Sequence, residues 1–530
     1  MSRLAKRRGK VSRDKGISFP YTLLVLLSQK VAIGWVGVLV SWPTRWSVER
    51  RSKMDAWTQA SEAAFSAYVE GLIEVVGHAD RAVPLKDYCL GLLMPLDRKS
   101  VEPLAAVTDP ARVSAKHQSL LHFVGQAPWS DEVLLGRVRD QTLSLMEKRG
   151  QVRAWIVDDT GLPKKGRHSV GVARQYCGQL GKQDNCQVAV SLSVATDHAS
   201  LPIAYRLYLP QAWADDPERR ARAKVPAEVV FQTKPQIALE QIKVAKAQGV
   251  SPGVVLADAG YGADGAFRAG LNALGLLYIV GVQPTLSVWR PGEEPLAPKP
   301  WSGRGRPTSL LRRTPDHKPL SAKALAQQLA ADAWSTLTWR EGTNTELRSR
   351  FAAVRLRPAS RDYNLTEPRA QEWLLIEWPE YEVEPTKYWL SNLAPETSTE
   401  DLVEQAKLRW RIERDYQELK QELGLGHYEG RGWRGFHHHA SLCIAAYGFL
   451  VSLRAAIPPS APPQAQVRQI AGLSPDYRPR GSADTTGAAR AHLDRNAPKT
   501  AHRRPGLQAS PMSLLQSGRQ SSVYETLMTQ

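Results

Sequence analysis

Hydrophobic positions recur along this chain with two different periods, and the change of period divides it. Between residues 54 and 148 the spacing is helical. The segments "AFSAYVEGLIEVV" and "DEVLLGRVRDQTLSLMEK" place apolar residues at i, i+3, i+4 and i+7. Ser130-Asp131-Glu132 supplies a helix start. The pattern predicts an all-helical N-terminal domain over 54–148, a packing unit or a binding domain, between which the pattern does not choose. At residue 151 the texture turns to β: "RAWIVDD", "NCQVAVSLSVATD", "LPIAYRLYLP", "GVVLADAGYG" and "LLYIVGVQ" read as strands. Helical stretches such as "KPQIALEQIKVAKAQG" lie between them. Strands first, then strand–helix alternation, predict a mixed α/β domain whose first part is 149–289. Residues 290–385 are rich in Pro, Gly, Trp and Arg and contain strand-like "LRSRFAAVRLRP" and "EWLLIEWP". They read as a β-rich insertion. The α/β domain resumes over 386–458, with a long helix from about Thr399 through "EDLVEQAKLRWRIERDYQELKQELGL" and a second helix, "HHHASLCIAAYGFLVSLRAA".

The two ends differ from this body. Residues 1–53 join a basic stretch to the apolar run "YTLLVLLSQKVAIGWVGVLVSW", which Gln29 and Lys30 split into halves. Neither half reaches the ~20 residues a membrane span needs. Met54 is the expected start of translation and 1–53 an atypical leader; a membrane anchor is the runner-up. Residues 459–530 lose all periodicity and are expected to be disordered. The net charge is +18, of which +10 falls in 1–53 and +5 in 459–530, leaving +3 for the body. A basic chain points to a polyanion partner, but here most of the charge sits at the ends. Four cysteines without a CxxC pair make neither a disulfide framework nor a zinc site, so a cytoplasmic setting is expected. No membrane partner is expected.

Three segments carry candidate chemistry. In "WIVDDTG" a strand ends in Asp158 and Asp159, which as neighbours point to opposite faces, one toward a site and the other toward solvent or a lysine. In "VVLADAGYG" Asp258 ends another apolar strand before a glycine turn. In "RWRIERDYQELKQELGL" the spacing sets Arg409, Glu413 and Lys420 along one helical face. Each segment alone has a plainer reading as a turn or a salt-bridged surface. Together, two strand-borne acids and one helix-borne acid can converge on hard divalent cations, which want oxygen ligands. His437, His438 and His439 cannot all face one ion on a helix and are read as a polar helix face. Trp289 and Trp433 are read as packing residues, with base stacking as the alternative.

These motifs resemble the DDE transposases of bacterial insertion sequences, most of all the insertion sequence 701 family within the insertion-sequence-4-like group. The resemblance rests on "DDTGLPKKGRHSVGVARQYCGQLGKQDNCQVAVSLS", "LADAGYG" and "RWRIERDYQELKQELGLGHYEGRGWRGFHHH", and spans about 54–480. It implies a ribonuclease-H-like core, a mixed sheet with flanking helices interrupted by the β-rich insertion. It implies Asp158, Asp258 and Glu413 as catalytic metal ligands, for two Mg²⁺ ions with Mn²⁺ as a substitute. Asp158 is preferred as first acid because Thr160 follows two residues on; Asp159 is the alternate. Lys164, Lys165, Arg167, Arg409 and Lys420 are implied as DNA contacts. The group's helical pattern has a tyrosine where this chain has Ala406, which leaves the hairpin route of cleavage open. The implied partners are DNA, as terminal inverted repeats and target, and a second copy of the chain as a homodimer in the DNA complex, with nucleoid association. The activity implied is cleavage and strand transfer. The alternative is an inactive DNA-binding remnant, because the text after "DYRPRG" departs from the family as a frameshift would make it.

Overall fold

The computed structural model describes residues 48–341 and 346–456, with side chains described over 59–339 and 347–456. The readings of 1–47 as leader or anchor, and of 459–530 as a tail, lie outside the described residues. The first described helix, Val48–Ile73, begins ahead of Met54.

Four more α-helices follow before the first strand: Ala82–Leu93, Val101–Thr108, Val113–Gly125 and Asp131–Glu147. Ser130 caps the last of them, its side chain accepting from the amide of Val133. These helices bury Leu72, Leu92, Leu104, Phe123 and Val138 in one continuous core with the sheet that follows.

The strands are β1 (Ala154–Pro163), β2 (Ala173–Cys177), β3 (Lys182–Ala195), β4 (Ser200–Leu207), β5 (Val254–Ala257) and β6 (Tyr278–Val282). After them come β7 (Ser287–Val288), β8 (Leu320–Ser321), β9 (Ser335–Glu341), β10 (Glu346–Leu356), β11 (Glu372–Trp378) and β12 (Lys387–Ser391). Ten of them form one mixed sheet in the order β2-β3-β1-β5-β6-β12-β11-β10-β9, with β4 on β3. Only the neighbours β1, β5 and β6 run parallel. This parallel trio reads as unbroken apolar runs because both its faces are covered. The connection from β4 to β5 passes through the helix Lys234–Ala247, opened by a capping box of Thr233 and Gln236.

Strands β9, β10 and β11 continue the central sheet through β12, which pairs with β6. The β texture of 290–385 thus extends the sheet rather than building a separate one, apart from the small pair β7–β8. Asp158 also sits differently from the expected strand end. The parallel pairing with β5 stops at Ile156, but the antiparallel ladder with β3 runs on to Pro163. Asp158 is therefore in mid-strand, opposite Ser191, where one neighbouring strand has already ended.

The final helix, Trp433–Ala456, is buried from Gly435 through Ser452. It is long and apolar enough to cross a membrane, yet 78% of its apolar window is covered by the fold, as for a central core helix. This burial corrects the reading of His437, His438 and His439 as a polar face. Successive positions on a helix turn by about 100°, so each imidazole meets a different neighbour. His437 Nε2 accepts from the amide of Leu207, His438 lies between the carbonyls of Val124 and Trp129, and His439 Nδ1 meets the hydroxyl of Tyr88. Burial pushes His438 and His439 down to about 4, against the pull of the backbone carbonyls each faces.

The helix predicted from Thr399 is broken. One segment runs Thr399–Lys407, a second Trp410–Gln417, and a π turn follows over Glu418–Glu422. Tight i+3 hydrogen bonds at Leu408, Arg411 and Ile412 mark the break, with no proline or glycine there. The first segment is pinned by Lys407, whose ammonium lies 2.7 Å from Glu377 Oε1 and 4.2 Å from the ring centre of Trp339.

Lys407→Met leaves the buried Glu377 carboxylate with only the exposed Lys387 ammonium, 3.9 Å from its other oxygen, and should cost about 3 kcal/mol in urea unfolding. Adding Glu377→Gln should recover most of the deficit. Equal stability of the single variant and the parent would show that the pair does not hold this helix.

Candidate active site

Asp158 is brought in by β1, Asp258 by the end of β5, and Arg409 and Glu413 by the segment at the helix break. One guanidinium joins the three acids. Arg409 Nη2 lies 3.1 Å from Asp158 Oδ2 and 3.9 Å from Asp258 Oδ2, and Nη1 lies 3.6 Å from Glu413 Oε1. The three acids differ in exposure: side-chain values are 13% for Asp158, 42% for Asp258 and 70% for Glu413. Burial pushes the Asp158 carboxyl up to about 7, against the pull of Arg409 and with help from the nearby Asp258 and Asp159. For Arg409, burial works against the charge, but the surrounding carboxylates outweigh it and raise its pKa.

Local sequence explains the placement of Asp258. Its Oδ1 accepts from the amide of Gly260 at 2.8 Å, capping the short turn Ala259–Gly262. That turn rests directly on β6. A Cβ on Gly262 would run into the carbonyl oxygen of Gly281, and one on Gly281 would meet the amide nitrogen of Ala259 at 2.8 Å. The glycines of "DAGYG" and "IVGV" are therefore a matched pair for close approach.

The other sequence candidates separate. Asp159 faces away from this cluster and pairs with Lys234, a partner that nothing in the local pattern singled out. Lys164 donates to the carbonyl of Tyr428 at 2.8 Å, and burial lowers its pKa, so its charge is committed to a loop contact. Lys165 is exposed. Arg167 lines an arginine-rich pocket rather than the carboxylate cluster. Lys420 lies in the π turn, 5.8 Å from the Tyr416 ring centre. Burial lowers its pKa, opposed by Cys177, Asp158 and Asp159. Trp289 is fully buried and donates to Asp362 Oδ2 at 2.6 Å; Trp433 packs on His437.

Sequence reasoning missed the layer beneath the acids. Asp415, two residues after Glu413, is buried and held by Ser200 at 2.6 Å and Tyr447 at 2.8 Å. Burial raises it to about 6. Tyr416 hydrogen-bonds Ser191, the residue opposite Asp158. The signal was present in "RIERDYQ": residues 413 and 415 fall on opposite sides of a helix, so one of the two acids had to face inward.

All the donors here are hard carboxylate oxygens, which suit Mg²⁺ or Mn²⁺. Among the described residues, no group of three or more His, Cys, Asp or Glu stands close enough together to hold an ion without rearrangement. Asp158 and Asp258 nevertheless both reach one nitrogen of Arg409, so their oxygens already converge on a single position of positive charge. The donor set fits a divalent cation on those two acids, with Glu413 beside them.

The profile of the family described as "DDE superfamily endonuclease" matches residues 71–346 of this chain, more than half its length. The chain belongs to the DDE superfamily of endonucleases. It is also 33% identical over 195 residues to a protein of Microchaete diplosiphon named "Probable transposase for insertion sequence element IS701". The matched stretch is 37% of this chain and 47% of that relative, so the chain spans about half the length of the curated relative it matches. The DDE-family profile includes Asp158 and Asp258 and ends ahead of Glu413.

Two outcomes are expected. Asp158 has a folded pKa of about 7 against an ordinary 3.8, so the fold favours its protonated form. Its contribution to stability is present below the ordinary value and is lost as pH rises toward 7. Metal-free Asp158→Asn should therefore unfold at higher urea than the parent near pH 8, with the gap closing toward about pH 4. A gap independent of pH would mean that the buried charge is not the cause. Gly262→Ala should lower stability by about 1–3 kcal/mol through overpacking, and a thermal melt matching the parent would contradict the close contact with β6.

Proposed function

We propose that this chain is the transposase of an insertion sequence, a polynucleotidyl transferase that cuts DNA at the element's ends and joins the freed 3′-OH to target DNA. The observation that carries this reading is the convergence of Asp158, Asp258 and Glu413 on one guanidinium in a DDE-superfamily chain. A relative named as a probable transposase supports it. The mixed sheet with its parallel centre and flanking helices is compatible with a ribonuclease-H-like core.

In this reading Asp158, Asp258 and Glu413 hold two divalent ions, Mg²⁺ by preference with Mn²⁺ as a substitute. Ions held there would supply Lewis-acid activation of an attacking oxygen and charge stabilisation of a leaving oxygen in phosphodiester displacement. The chain's own contribution is positional. Asp158 must be ionised to act as a ligand, and its partly dry setting favours a cation beside it. Arg409 supplies that cation beforehand. Its planar fork can then turn its donors to a phosphate. Lys420, with a pKa lowered by burial, sits on the same stretch of chain as a further phosphate contact. Substrates are the element's terminal inverted repeats and a target duplex, handled by a homodimer.

The test is a cleavage and strand-transfer assay with Mg²⁺ on a duplex carrying the inverted ends that flank the gene. Asp258→Ala and Glu413→Ala should each lower product by on the order of 10³-fold. A parent without activity on such ends, or an Asp258→Ala variant as active as the parent, would overturn the reading.

A further inference from the structure

Apart from the carboxylate cluster, the described residues enclose a second concave site with a strong charge of one sign. It is a cavity of about 200 Å³ lined by Arg167, His168, Trp213, Arg219, Arg222 and Arg431, with Ala223 between. No acidic side chain lines it. Arg167, Arg222 and Arg431 are exposed and have no acidic partner among the described residues. Arg219 has Asp216 at 4.0 Å and lies over the Trp213 ring, 4.1 Å from its centre.

The walls are built rather than incidental. Trp213 is buried and donates to the carbonyl of Val172 at 2.8 Å, which fixes the floor against the loop after β1. The amide of Val170 donates to the carbonyl of Arg431 at 3.1 Å, tying that loop to the segment before the final helix. Asn185 holds the carbonyl of Gly166 at 2.9 Å. In the helix Pro217–Ala223, Arg220 turns back to the carbonyls of Val229 and Pro226 at 2.8 and 2.9 Å. Arg219 and Arg222, three positions apart, share the face that opens on the cavity. Four guanidiniums brought together by three separate segments repel one another unless an anion joins them.

We propose that this pocket binds a phosphate group of a DNA strand, at a place separate from the carboxylate cluster. Planar guanidiniums match phosphate oxygens two at a time, and the stacked Arg219–Trp213 pair holds one of them in a set orientation. The phosphate is either an internal phosphodiester or a terminal 5′-phosphate. The inference rests on the DNA reading above and adds a site to it.

The test uses the full chain and two short fluorescent duplexes of random sequence, one with 5′-phosphates and one with 5′-hydroxyls, titrated over a range of salt. Arg167 and Arg222 point their charge into solvent and the cavity rather than into the core, so Arg167→Ala/Arg222→Ala should melt at or slightly above the parent, as repulsion is relieved. If both grip phosphate, the slope of log affinity against log salt should fall by about 2, close to one for each arginine removed. Weaker binding of both duplexes assigns an internal phosphodiester; weaker binding of the phosphorylated duplex alone assigns the terminal group. A parent that binds with a steep salt slope and a double variant with the same slope and affinity would overturn the pocket alone. A parent that binds neither duplex at low salt would remove the DNA reading, and the pocket with it.

Discussion

The site is organised by one cation held among three carboxyl groups. Burial, with Asp258 nearby, holds the Asp158 carboxyl up at about 7 even with Arg409 beside it, so the guanidinium only keeps the ionised form within reach near neutral pH. The converse also holds, since Arg409 is mostly covered and its Nε has no hydrogen-bond partner among the described residues. Its charge is tolerated there because the acids surround it. The four groups come from three separate parts of the chain, so the cluster exists only where the sheet register and the helix break are both correct. A divalent ion would compete with Arg409 for the same oxygens.

The rest of the fold serves that placement. Asp158 projects where β5 has ended and β3 continues, which leaves one side of β1 open at that residue. Asp258 is set on the same open side by a turn that the Gly262–Gly281 contact presses onto β6. Lys407, caged by aromatic rings and bound to Glu377, fixes the helix just before the break. The chain then re-aims at Arg409. The π turn at Glu418–Glu422 re-aims it again, so that Leu419 and Leu423 go into the core while Lys420 stays near the acids.

Much of this was legible in the sequence, for identifiable reasons. Helical and strand periods mark burial directly, so the segments at 131–147, 234–247 and 254–257 stand where the pattern put them. Acids at the ends of apolar runs are costly and therefore conspicuous, which singled out Asp158 and Asp258. Three features were hidden. The break at 408 and the π turn interrupt no apolar period and use no proline or glycine. The histidines of the final helix look polar in composition, yet each is satisfied by a partner hundreds of residues away, as Tyr88 is for His439. The strands of 290–385 carry no mark of which sheet they join, because pairing of β12 with β6 is a long-range choice.

Charge illustrates the same limit. The body of the chain carries a net +3, nearly neutral for its length, and no count of lysines and arginines would place a phosphate site in it. What matters physically is local density. The segment "PERRARA" spends one arginine on its own loop and two on a cavity, and Arg167 and Arg431 reach that cavity from 52 residues before and 212 residues after Arg219 in sequence. A field strong enough to hold an anion thus arises where the fold superposes arginines that composition spreads thin. The carboxylate cluster is the mirror case: acids dispersed through a basic chain, concentrated at one point. A DNA strand would meet different fields at the two places, three carboxyl groups sharing one arginine at one and arginines with no acid in the lining at the other.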